Sequence, residues 1–326
     1  MKVYEIREPK DIESLMLAER PDPQSGNGEV LVKMHAVSLN FRDLAVARGE
    51  YGKTVPYPII PLSDGAGEVV ELGPGNKRWS VGDRVAGIFM QGWQEGPVNT
   101  DKVKTALGGA VDGVLSEFRV FAEDGLVRIP DHLSFEEAAT LPCAAVTAWH
   151  ALKGLQPGES VLVQGTGGVS VFALQFAKMA GARVVATSSS DQKLERLRQM
   201  GADVLVNYKT TPDWEKPAQG VDRVIEVGGA GTLGKSIKAV RMGGKIFLIG
   251  VLTGPGEIDP RPILMKSIQL QGIYVGSREM FEEMNRAINQ AQLRPVVDRV
   301  FPFAEAKNAY KHLESGAHVG KVVIGF

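Results

Sequence analysis

The sequence has little cysteine and no long apolar run. Cys143 is the single cysteine among 326 residues, so no intramolecular disulfide can form, as is usual in a reducing compartment. No stretch approaches the roughly 18 uncharged apolar residues of a transmembrane helix. The first segment, MKVYEIREPKDIESL, lacks the apolar core of a signal peptide. These absences predict a cytoplasmic protein that does not act in a membrane.

Neither charge nor histidine is arranged for nucleic-acid or metal binding. The 37 basic and 38 acidic residues leave a formal net charge of −1, whereas nucleic acid or an anionic membrane requires a basic patch or stripe. The five histidines show no metal-ligand spacing. The expected partner is therefore a small molecule, with no nucleic acid, membrane or bound metal.

The length favours two domains, since one domain usually has roughly 100–200 residues. Short strands between Gly and Pro turns are predicted at Glu29–Val37, Gly65–Leu72 and Asp83–Ile88, and indicate a small barrel or rolled sheet. Residues 91–113 are rich in Gly and polar residues. We interpret them as a long loop, a functional lid or lobe.

From Leu133 onward the pattern changes to alternating strands and helices. Ser134 and Glu137 form a capping-box pattern at the start of a helical region that Pro142 interrupts. The predicted strands are Ser160–Gln164, Arg183–Thr187, Val204–Asn207, Arg223–Val227 and Lys245–Gly250, with helices at Gly168–Ala180, Gln192–Met200, Thr232–Val240 and Glu305–Leu313, and a last strand at Gly320–Ile324. The alternation predicts an α/β fold with a parallel sheet covered by helices on both faces.

The strongest motif is the turn between a buried strand and a helix in VLVQGTGGVSVFALQFAK. Gly165 suits the tight turn, Gly167 lets the backbone approach a pyrophosphate, and the unpaired amides of Gly168 and Val169 would hold the anion. Ser170 stands at the third small position of the GxGxxG pattern. A Gly-rich turn that only closes a βα connection is the alternative.

The residues after the second strand indicate which dinucleotide binds. NADH is usually held there by a carboxylate, but this chain has Ser188 and Ser189, with Lys193 on the next helix. Hydroxyls and an ammonium suit the 2′-phosphate of NADPH. Asp191 is interpreted as the cap of a helix beginning at Gln192. NADPH is predicted over NADH, although Lys193 as a solvated helix residue is the alternative.

Several segments together resemble the medium-chain dehydrogenase/reductase superfamily. They are SLNFRDLAVARGEYG, PLSDGAGEVVELGPG, VGDRV, LPCAAVTAWHAL, VQGTGGVSVFALQFAK, GADVLVNY and ESGAHVGKVVIGF. The resemblance implies a Rossmann parallel-sheet domain at 126–266, inserted into a β-barrel-like catalytic domain formed by 1–125 and 267–326. It also implies that the nicotinamide lies in the cleft between these domains.

The zinc enzymes of this superfamily hold their catalytic metal with a Cys, a His and a Cys or Asp. The matching positions here are Asn40, Ser63 and Cys143, and the four-Cys structural zinc lobe is missing, since 91–113 contains no Cys. A thiolate with an amide and a hydroxyl is no zinc site. The chain therefore resembles the zinc-free quinone oxidoreductase branch.

In zinc-free members NADPH gives hydride to a quinone or to an α,β-unsaturated carbonyl (enone, enal or enoyl thioester), and the resulting enolate needs hydrogen-bond donors. The resemblance places Asn40 near the nicotinamide ribose and Tyr51 near the substrate, as the catalytic pair. Tyr51 as a mere pocket wall is the alternative. Phe89 and Trp93 would also line the substrate side, and Asp43 would be a structural partner.

The resemblance further implies cofactor contacts at Thr147, Tyr208, Gly250, Val251, Leu252, Ser277 and Arg278. A catalytically quiet NADPH-binding structural or sensor protein is the alternative function. The apolar-rich segment Ser267–Val275 follows the last Rossmann connection and would be an exposed sheet edge. We therefore predict a homodimer that pairs this edge across its interface.

Overall fold

The computed structural model describes residues 1–52 and 54–326. The strands are β1 (Lys2–Ile6), β2 (Leu15–Glu19), β3 (Glu29–Ser38), β4 (Asp64–Leu72), β5 (Arg84–Gly87), β6 (Phe118–Ala122), β7 (Leu126–Arg128), β8 (Ser160–Gln164), β9 (Arg183–Ser188), β10 (Val204–Asn207), β11 (Val221–Glu226), β12 (Val240–Leu248), β13 (Gln269–Gly272), β14 (Val297–Pro302) and β15 (Lys321–Gly325).

The α-helices are α1 (Phe41–Arg48), α2 (Thr100–Val103), α3 (Phe135–Ala138), α4 (Val146–Leu152), α5 (Gly168–Met179), α6 (Asp191–Gln199), α7 (Ala230–Ala239), α8 (Arg261–Met265), α9 (Arg278–Ala291) and α10 (Ala306–Glu314). A π-helical turn at Leu141–Ala145 contains Pro142 and leads into α4. Within the described ranges, no helix is both long and apolar enough to cross a membrane.

The chain divides into two compact units. Unit 1 comprises Met1–Val146 and Val275–Phe326, and unit 2 comprises Thr147–Tyr274. The Rossmann domain was predicted at 126–266, so both boundaries differ. Residues 126–146 belong to unit 1 because β7 pairs with β5, and 267–274 belong to unit 2 because β13 pairs with β12.

Unit 2 confirms the predicted parallel Rossmann sheet. Its six strands lie in the order β10-β9-β8-β11-β12-β13, and each neighbouring pair is parallel. The chain runs outward from β8 to β10 and then returns to β11 beside β8, so the strand order reverses between β8 and β11. Ligands of open α/β sheets bind at the carboxyl ends of the strands where this reversal occurs. The predicted phosphate-binding turn directly follows β8.

Apolar residues of the central strands and of α7 form the core of unit 2. Leu162, Val185, Val224 and Ile246 are fully buried, and helix residue Ile237 packs against them. On the other sheet face α5 buries Phe172, Ala173, Phe176 and Ala177, while Val169 near its start is half-buried.

Unit 1 contains a two-stranded sheet of β1 and β2 and a mainly antiparallel sheet in the order β14-β15-β3-β4-β5-β7, with β6 also paired to β3. The central strand β3 pairs with β4 on one side and with β15 on the other. Leu39 continues this contact after β3, since its amide donates to the Val322 carbonyl at 3.0 Å. The pairing therefore brings the first residue of β15 beside the start of α1.

The predicted capping box at α3 is present. Ser134 Oγ accepts from the Glu137 amide at 3.2 Å, and a Glu137 carboxylate oxygen accepts from the Ser134 amide at 2.9 Å. The sequence interpretation did not predict α9, whose 14 residues bury Phe281, Met284 and Ile288 on one face. The 91–113 segment contains the short helix α2 as well as loop.

Candidate active site

The turn after β8 has the geometry that a pyrophosphate requires. Gly165 has a φ of +74°, a left-handed conformation that favours glycine. Gly167 precedes the first helical residue of α5, and a Cβ atom added to Gly165 or Gly167 would meet no atom within 4 Å. The first amides of α5 have no partner within the helix. These open amides at Gly168 and Val169 fit an anion.

Ser170 explains how the third position of this motif tolerates a side chain. It is 3% exposed, and its hydroxyl donates to the Gln164 carbonyl at 2.6 Å. The hydroxyl thereby ties the first turn of α5 to the end of β8, and the polar group is satisfied inside the unit.

Serine and tyrosine residues lie at the carboxyl ends of the paired strands β9 and β10, and Lys193 follows on α6. The Tyr208 amide donates to the Ser188 carbonyl at 3.0 Å, so Tyr208 lies beside Ser188. Ser189 is half-buried, Tyr208 is 42% exposed, and Lys193 lies in the first turn of α6. The interpretation of Asp191 was wrong. Ser190 caps α6, and Asp191 instead accepts from Asn207 Nδ2 at 2.7 Å.

The loop after β12 carries the predicted nicotinamide-facing residues. The Gly250 amide donates to the Glu226 carbonyl at 3.3 Å, and a Cβ atom on Gly250 would lie 2.2 Å from the Val227 carbonyl oxygen. Glycine is therefore required where this loop crosses the end of β11. Val251 and Leu252 are 70% and 50% exposed, unusual for apolar side chains, and are available to a ligand.

Glu226, the last residue of β11, was missed by the sequence interpretation and holds the neighbouring turn. One carboxylate oxygen accepts from the amides of Gly228 at 2.8 Å and Gly229 at 3.1 Å and from Thr232 Oγ1 at 2.5 Å. The other accepts from Gln164 Nε2 at 2.9 Å and from Ser236 Oγ. This fully buried carboxylate thus joins the ends of β8 and β11.

The remaining predicted cofactor contacts have structural partners of their own. Thr147 is buried on α4. Ser277 is buried and caps α9 by accepting from the Met280 amide at 3.2 Å. Arg278 donates to Asp124 Oδ1 at 2.6 Å, and its Nε lies 3.6 Å from Glu282. A cofactor role for Ser277 or Arg278 would be additional to these contacts.

In unit 1 a buried ammonium lies at the start of α1. Lys321 is 3% exposed, and its Nζ donates to the Leu39 carbonyl and to Asn40 Oδ1, each at 2.6 Å. Asp64 Oδ2 lies 3.6 Å from the same Nζ. Asp64 also accepts from Ser63 Oγ at 2.7 Å and from the Cys143 amide at 3.2 Å. Sequence interpretation found Asn40, Ser63 and Cys143 but missed Lys321 and Asp64.

Two polar atoms of this cluster lack partners. Asn40 Nδ2 and Asp43 Oδ1 are buried and make no hydrogen bond to any residue in the described ranges. Asp43 was predicted to be structural, and its Oδ2 accepts from the Asn40 amide at 2.7 Å. Burial raises the pKa of Asp43 to about 6 although Arg42 favours the charged form. A buried donor with no partner is unusual enough to indicate a ligand.

The rings of Tyr51 and Phe89 both contact the guanidinium of Arg42. The Arg42 Cζ atom is 4.6 Å from the centroid of each ring, and Arg42 Nη1 donates to the Leu107 carbonyl at 2.9 Å. Phe89 is buried and Tyr51 is half-buried. The two aromatic side chains that were predicted to line the substrate side therefore both form a cation–π contact with Arg42. Trp93 is 2% exposed and its Nε1 donates to the Gly96 carbonyl at 2.8 Å, which makes it part of the loop interior.

Comparison with known proteins agrees with this geometry. Residues 26–131 match the alcohol dehydrogenase GroES-like domain, and residues 168–290 match the zinc-binding dehydrogenase domain. A zinc-type alcohol dehydrogenase-like protein of Schizosaccharomyces pombe is 45% identical over 93% of this chain and 92% of its own length. The chain belongs to the medium-chain dehydrogenase/reductase superfamily. It is an oxidoreductase of the zinc-type alcohol dehydrogenase-like and quinone oxidoreductase-like group.

Two further members of the superfamily are similar over nearly the whole chain. The crystal structure of a candidate alcohol dehydrogenase from Sinorhizobium meliloti is 41% identical, covers 100% of this chain and 98% of its own, and superposes with a TM-score of 0.93. A 2-methylene-furan-3-one reductase of Solanum lycopersicum is 33% identical over 93% of this chain and 73% of its own length.

The side chains at the metal positions of the zinc-type superfamily members do not fit zinc. Asn40 Oδ1 already accepts from the Lys321 ammonium, which would repel a nearby cation, and Ser63 Oγ donates to Asp64. Burial, with the Asp64 carboxylate, raises the pKa of the Cys143 thiol far above its usual range. Among the described residues, no group of three or more His, Cys, Asp or Glu side chains could hold a metal.

Proposed function

We propose that the protein is an NADPH-dependent reductase that transfers hydride to an α,β-unsaturated carbonyl or a quinone without a metal. The observation that carries this proposal is the Lys321 ammonium hydrogen-bonded to Asn40 where zinc-type members place metal ligands. Without a Lewis acid, a developing oxyanion must be stabilised by hydrogen-bond donors. Asn40 Nδ2, buried and without a partner in residues 1–52 and 54–326, is such a donor.

Bound NADPH would supply the hydride. With an enone, the hydride adds to the β-carbon, the electrons of the C=C bond move to the carbonyl oxygen, and a proton then adds to the α-carbon. Tyr51 and Asn40 are the catalytic pair that we propose, because a phenol and an amide both donate without carrying charge. Phe89 would shape the apolar side of the substrate pocket. Trp93, as part of the loop interior, would act through the loop.

Unit 2 has the residues to hold NADPH. The amides of Gly168 and Val169, opened by Gly165 and Gly167, would bind the pyrophosphate. Ser188, Ser189 and Lys193, with Tyr208 beside them, would bind the 2′-phosphate. Gly250, Val251 and Leu252 would meet the nicotinamide. Thr147, Ser277 and Arg278 complete the proposed contacts.

A substrate panel tests the reaction. Purified protein treated with a chelator is offered NADPH with enones, enals, enoyl thioesters and quinones, and the loss of reduced nicotinamide is followed. Turnover of at least one of these classes is expected. Tight NADPH binding with no turnover would instead indicate a quiet binding protein, and alcohol oxidation that chelation abolishes would overturn the metal-free proposal.

The NADPH assignment has a separate test. Lys193→Ala should weaken NADPH binding by about tenfold to 150-fold, equivalent to about 1.5–3 kcal/mol for a lost charge-assisted hydrogen bond. Binding of NADH should not change. Arg198→Ala is the matched control, since Arg198 lies on the same helix and pairs with Glu195 at 3.2 Å. Equal affinity of the native protein for NADH and NADPH would contradict the assignment.

We also propose a homodimer through the edge strand β13. Every residue of this strand is exposed. Nearby on unit 2, Met242, Leu264, Met265 and Leu270 are 69%, 79%, 75% and 40% exposed. An exposed edge strand with apolar side chains exposed nearby is open to pairing with a second copy. Light scattering should give twice the chain mass, and Leu270→Lys should shift it toward the monomer. A native monomer at every concentration would contradict the proposal.

A further inference from the structure

The orientation of the Asn40 amide is determined by Lys321. An ammonium has three donors and no acceptor, so it can face only the oxygen of a side-chain amide. The distance of 2.6 Å between Lys321 Nζ and Asn40 Oδ1 therefore assigns the oxygen to this side. The Asn40 NH2 group must then point to the opposite side of the amide. The oxygen and nitrogen of an asparagine side chain are often interchangeable, but here the charge removes the ambiguity.

Lys321 is itself held in place from three directions. It begins β15, its amide donates to the Val296 carbonyl at 3.0 Å, and its Nζ donates to the Leu39 carbonyl at 2.6 Å. The Asp64 carboxylate 3.6 Å away offsets its charge. Holding a buried ion pair and a buried asparagine with an unused donor is costly unless the arrangement has a use.

We propose that Lys321 is a positioning residue that acts through Asn40. It keeps the Asn40 NH2 group turned toward the ligand, where Nδ2 donates to an acceptor oxygen, either the substrate carbonyl or a ribose hydroxyl of the cofactor. The kinetic part of this inference rests on the proposed reductase function. The spectroscopic part does not, because it follows the amide itself.

The spectroscopic experiment uses the full chain labelled with 15N-asparagine. The side-chain NH2 signals of Asn40 are identified by their loss in Asn40→Ala. NADP+ is added alone and then together with an unreactive saturated ketone. The Asn40 signals should move on one of these additions, which identifies the acceptor oxygen, and Lys321→Met should abolish the movement. Signals that move equally in Lys321→Met, or that never move in the native chain, would overturn the proposal.

The kinetic experiment is a double-mutant cycle on the best substrate. Lys321→Met and Asn40→Ala should each lower kcat/KM by about tenfold or more, the size of one lost hydrogen-bond donor. The double variant should lose no more than the worse single variant, because Lys321 acts only through Asn40. Multiplied losses would overturn the proposal. If no substrate is turned over, the proposed function fails, while the amide signals still test Lys321.

Controls separate positioning from folding. Lys307→Met, whose ammonium pairs with Glu13 at 3.0 Å on the surface of unit 1, should leave the Asn40 signals and kcat/KM unchanged. Asn40→Asp keeps a partner for Lys321 but has no NH2 group, so it should fold and still lose activity. If Lys321→Met does not fold, the double variant with Lys321→Met and Asp64→Asn takes its place in both experiments. This double variant removes the two buried charges together.

Discussion

Glu226, the last residue of β11 in unit 2, and Asp64, the first residue of β4 in unit 1, are both fully buried carboxylates, but their surroundings differ. Glu226 accepts from five donors, all neutral, and the whole group is satisfied inside its unit. Asp64 is next to an ammonium, and the neighbouring Asn40 Nδ2 and Asp43 Oδ1 have no partner in the described part of the chain. Complete satisfaction is typical of a scaffold, and an unused donor is typical of a binding site.

The largest effect on stability should follow from removing the Glu226 carboxylate, whose hydrogen bonds are all satisfied inside unit 2. Glu226→Ala leaves several buried donors without an acceptor, so the free energy of unfolding of unit 2 should fall by about 3–5 kcal/mol. Denaturant unfolding, with hydrogen exchange of unit 2 amides, measures it. Glu226→Gln retains one acceptor oxygen and should lose less. A loss below about 1 kcal/mol would remove the contrast between the two clusters.

Asp43 should make the unit 1 cluster sensitive to pH. Its pKa is raised from 3.8 to about 6 by burial, so the folded state binds this proton more tightly than the unfolded state. The contribution of Asp43 to stability is therefore greatest below about pH 4 and is lost as the pH rises through about 6, a change of about 3 kcal/mol. Asp43→Asn should flatten the profile of unfolding free energy over this range. Parallel profiles would contradict the assignment.

Tyr51→Phe should affect activity rather than stability. If the phenol donates to the oxyanion or protonates the α-carbon, kcat on the best enone should fall about 10²-fold, or about 2.7 kcal/mol. The loss with a quinone should be smaller, because solvent can protonate its oxygens. Tyr57→Phe is the matched control, since the Tyr57 hydroxyl donates to the Val46 carbonyl at 2.6 Å and should contribute to stability only. An unchanged kcat would make Tyr51 a pocket wall.

The smallest effect should come from Ser170, which bonds the backbone of Gln164, a neighbour of Glu226. Ser170→Ala removes the hydroxyl that donates to the Gln164 carbonyl at 2.6 Å, a bond worth about 1 kcal/mol to stability. Thermal unfolding should detect the loss, while NADPH affinity should change little because the α5 amides remain. A large loss of affinity with unchanged stability would show that the hydroxyl contacts the cofactor.

Local patterns predicted most of unit 2 because each signal there lies within a few residues. Ser160–Gln164 and Val204–Asn207 were predicted with the bounds that the structure has, and the Gly165 turn follows directly from its neighbours. The cluster at Asn40 could not be predicted in this way. Its partner Lys321 is 281 residues away and reaches Asn40 only through the pairing of β3 with β15. The available signal was a charged residue beginning the apolar run KVVI.

Glu226 offered a similar signal, a carboxylate ending the apolar strand RVIE before Gly228 and Gly229. A charged first or last residue of a buried strand therefore indicates a polar cluster in both units. The sequence alone does not show which residues form its hydrogen bonds. The difference between the predicted domain bounds and the two units has the same origin, because β7 and β13 are assigned to their units by pairing partners rather than by their own composition.

The position of β15 in the chain has a consequence during synthesis. Unit 1 is interrupted by unit 2, and domains generally fold as units while the chain leaves the ribosome. Unit 2 can therefore form while unit 1 still lacks β15 and Lys321, because both follow unit 2 in the chain. A chain that stops before β15 would carry a complete nucleotide-binding sheet but no ammonium beside Asn40. If the protein has the proposed function, such a truncated product would bind NADPH but could not reduce a substrate.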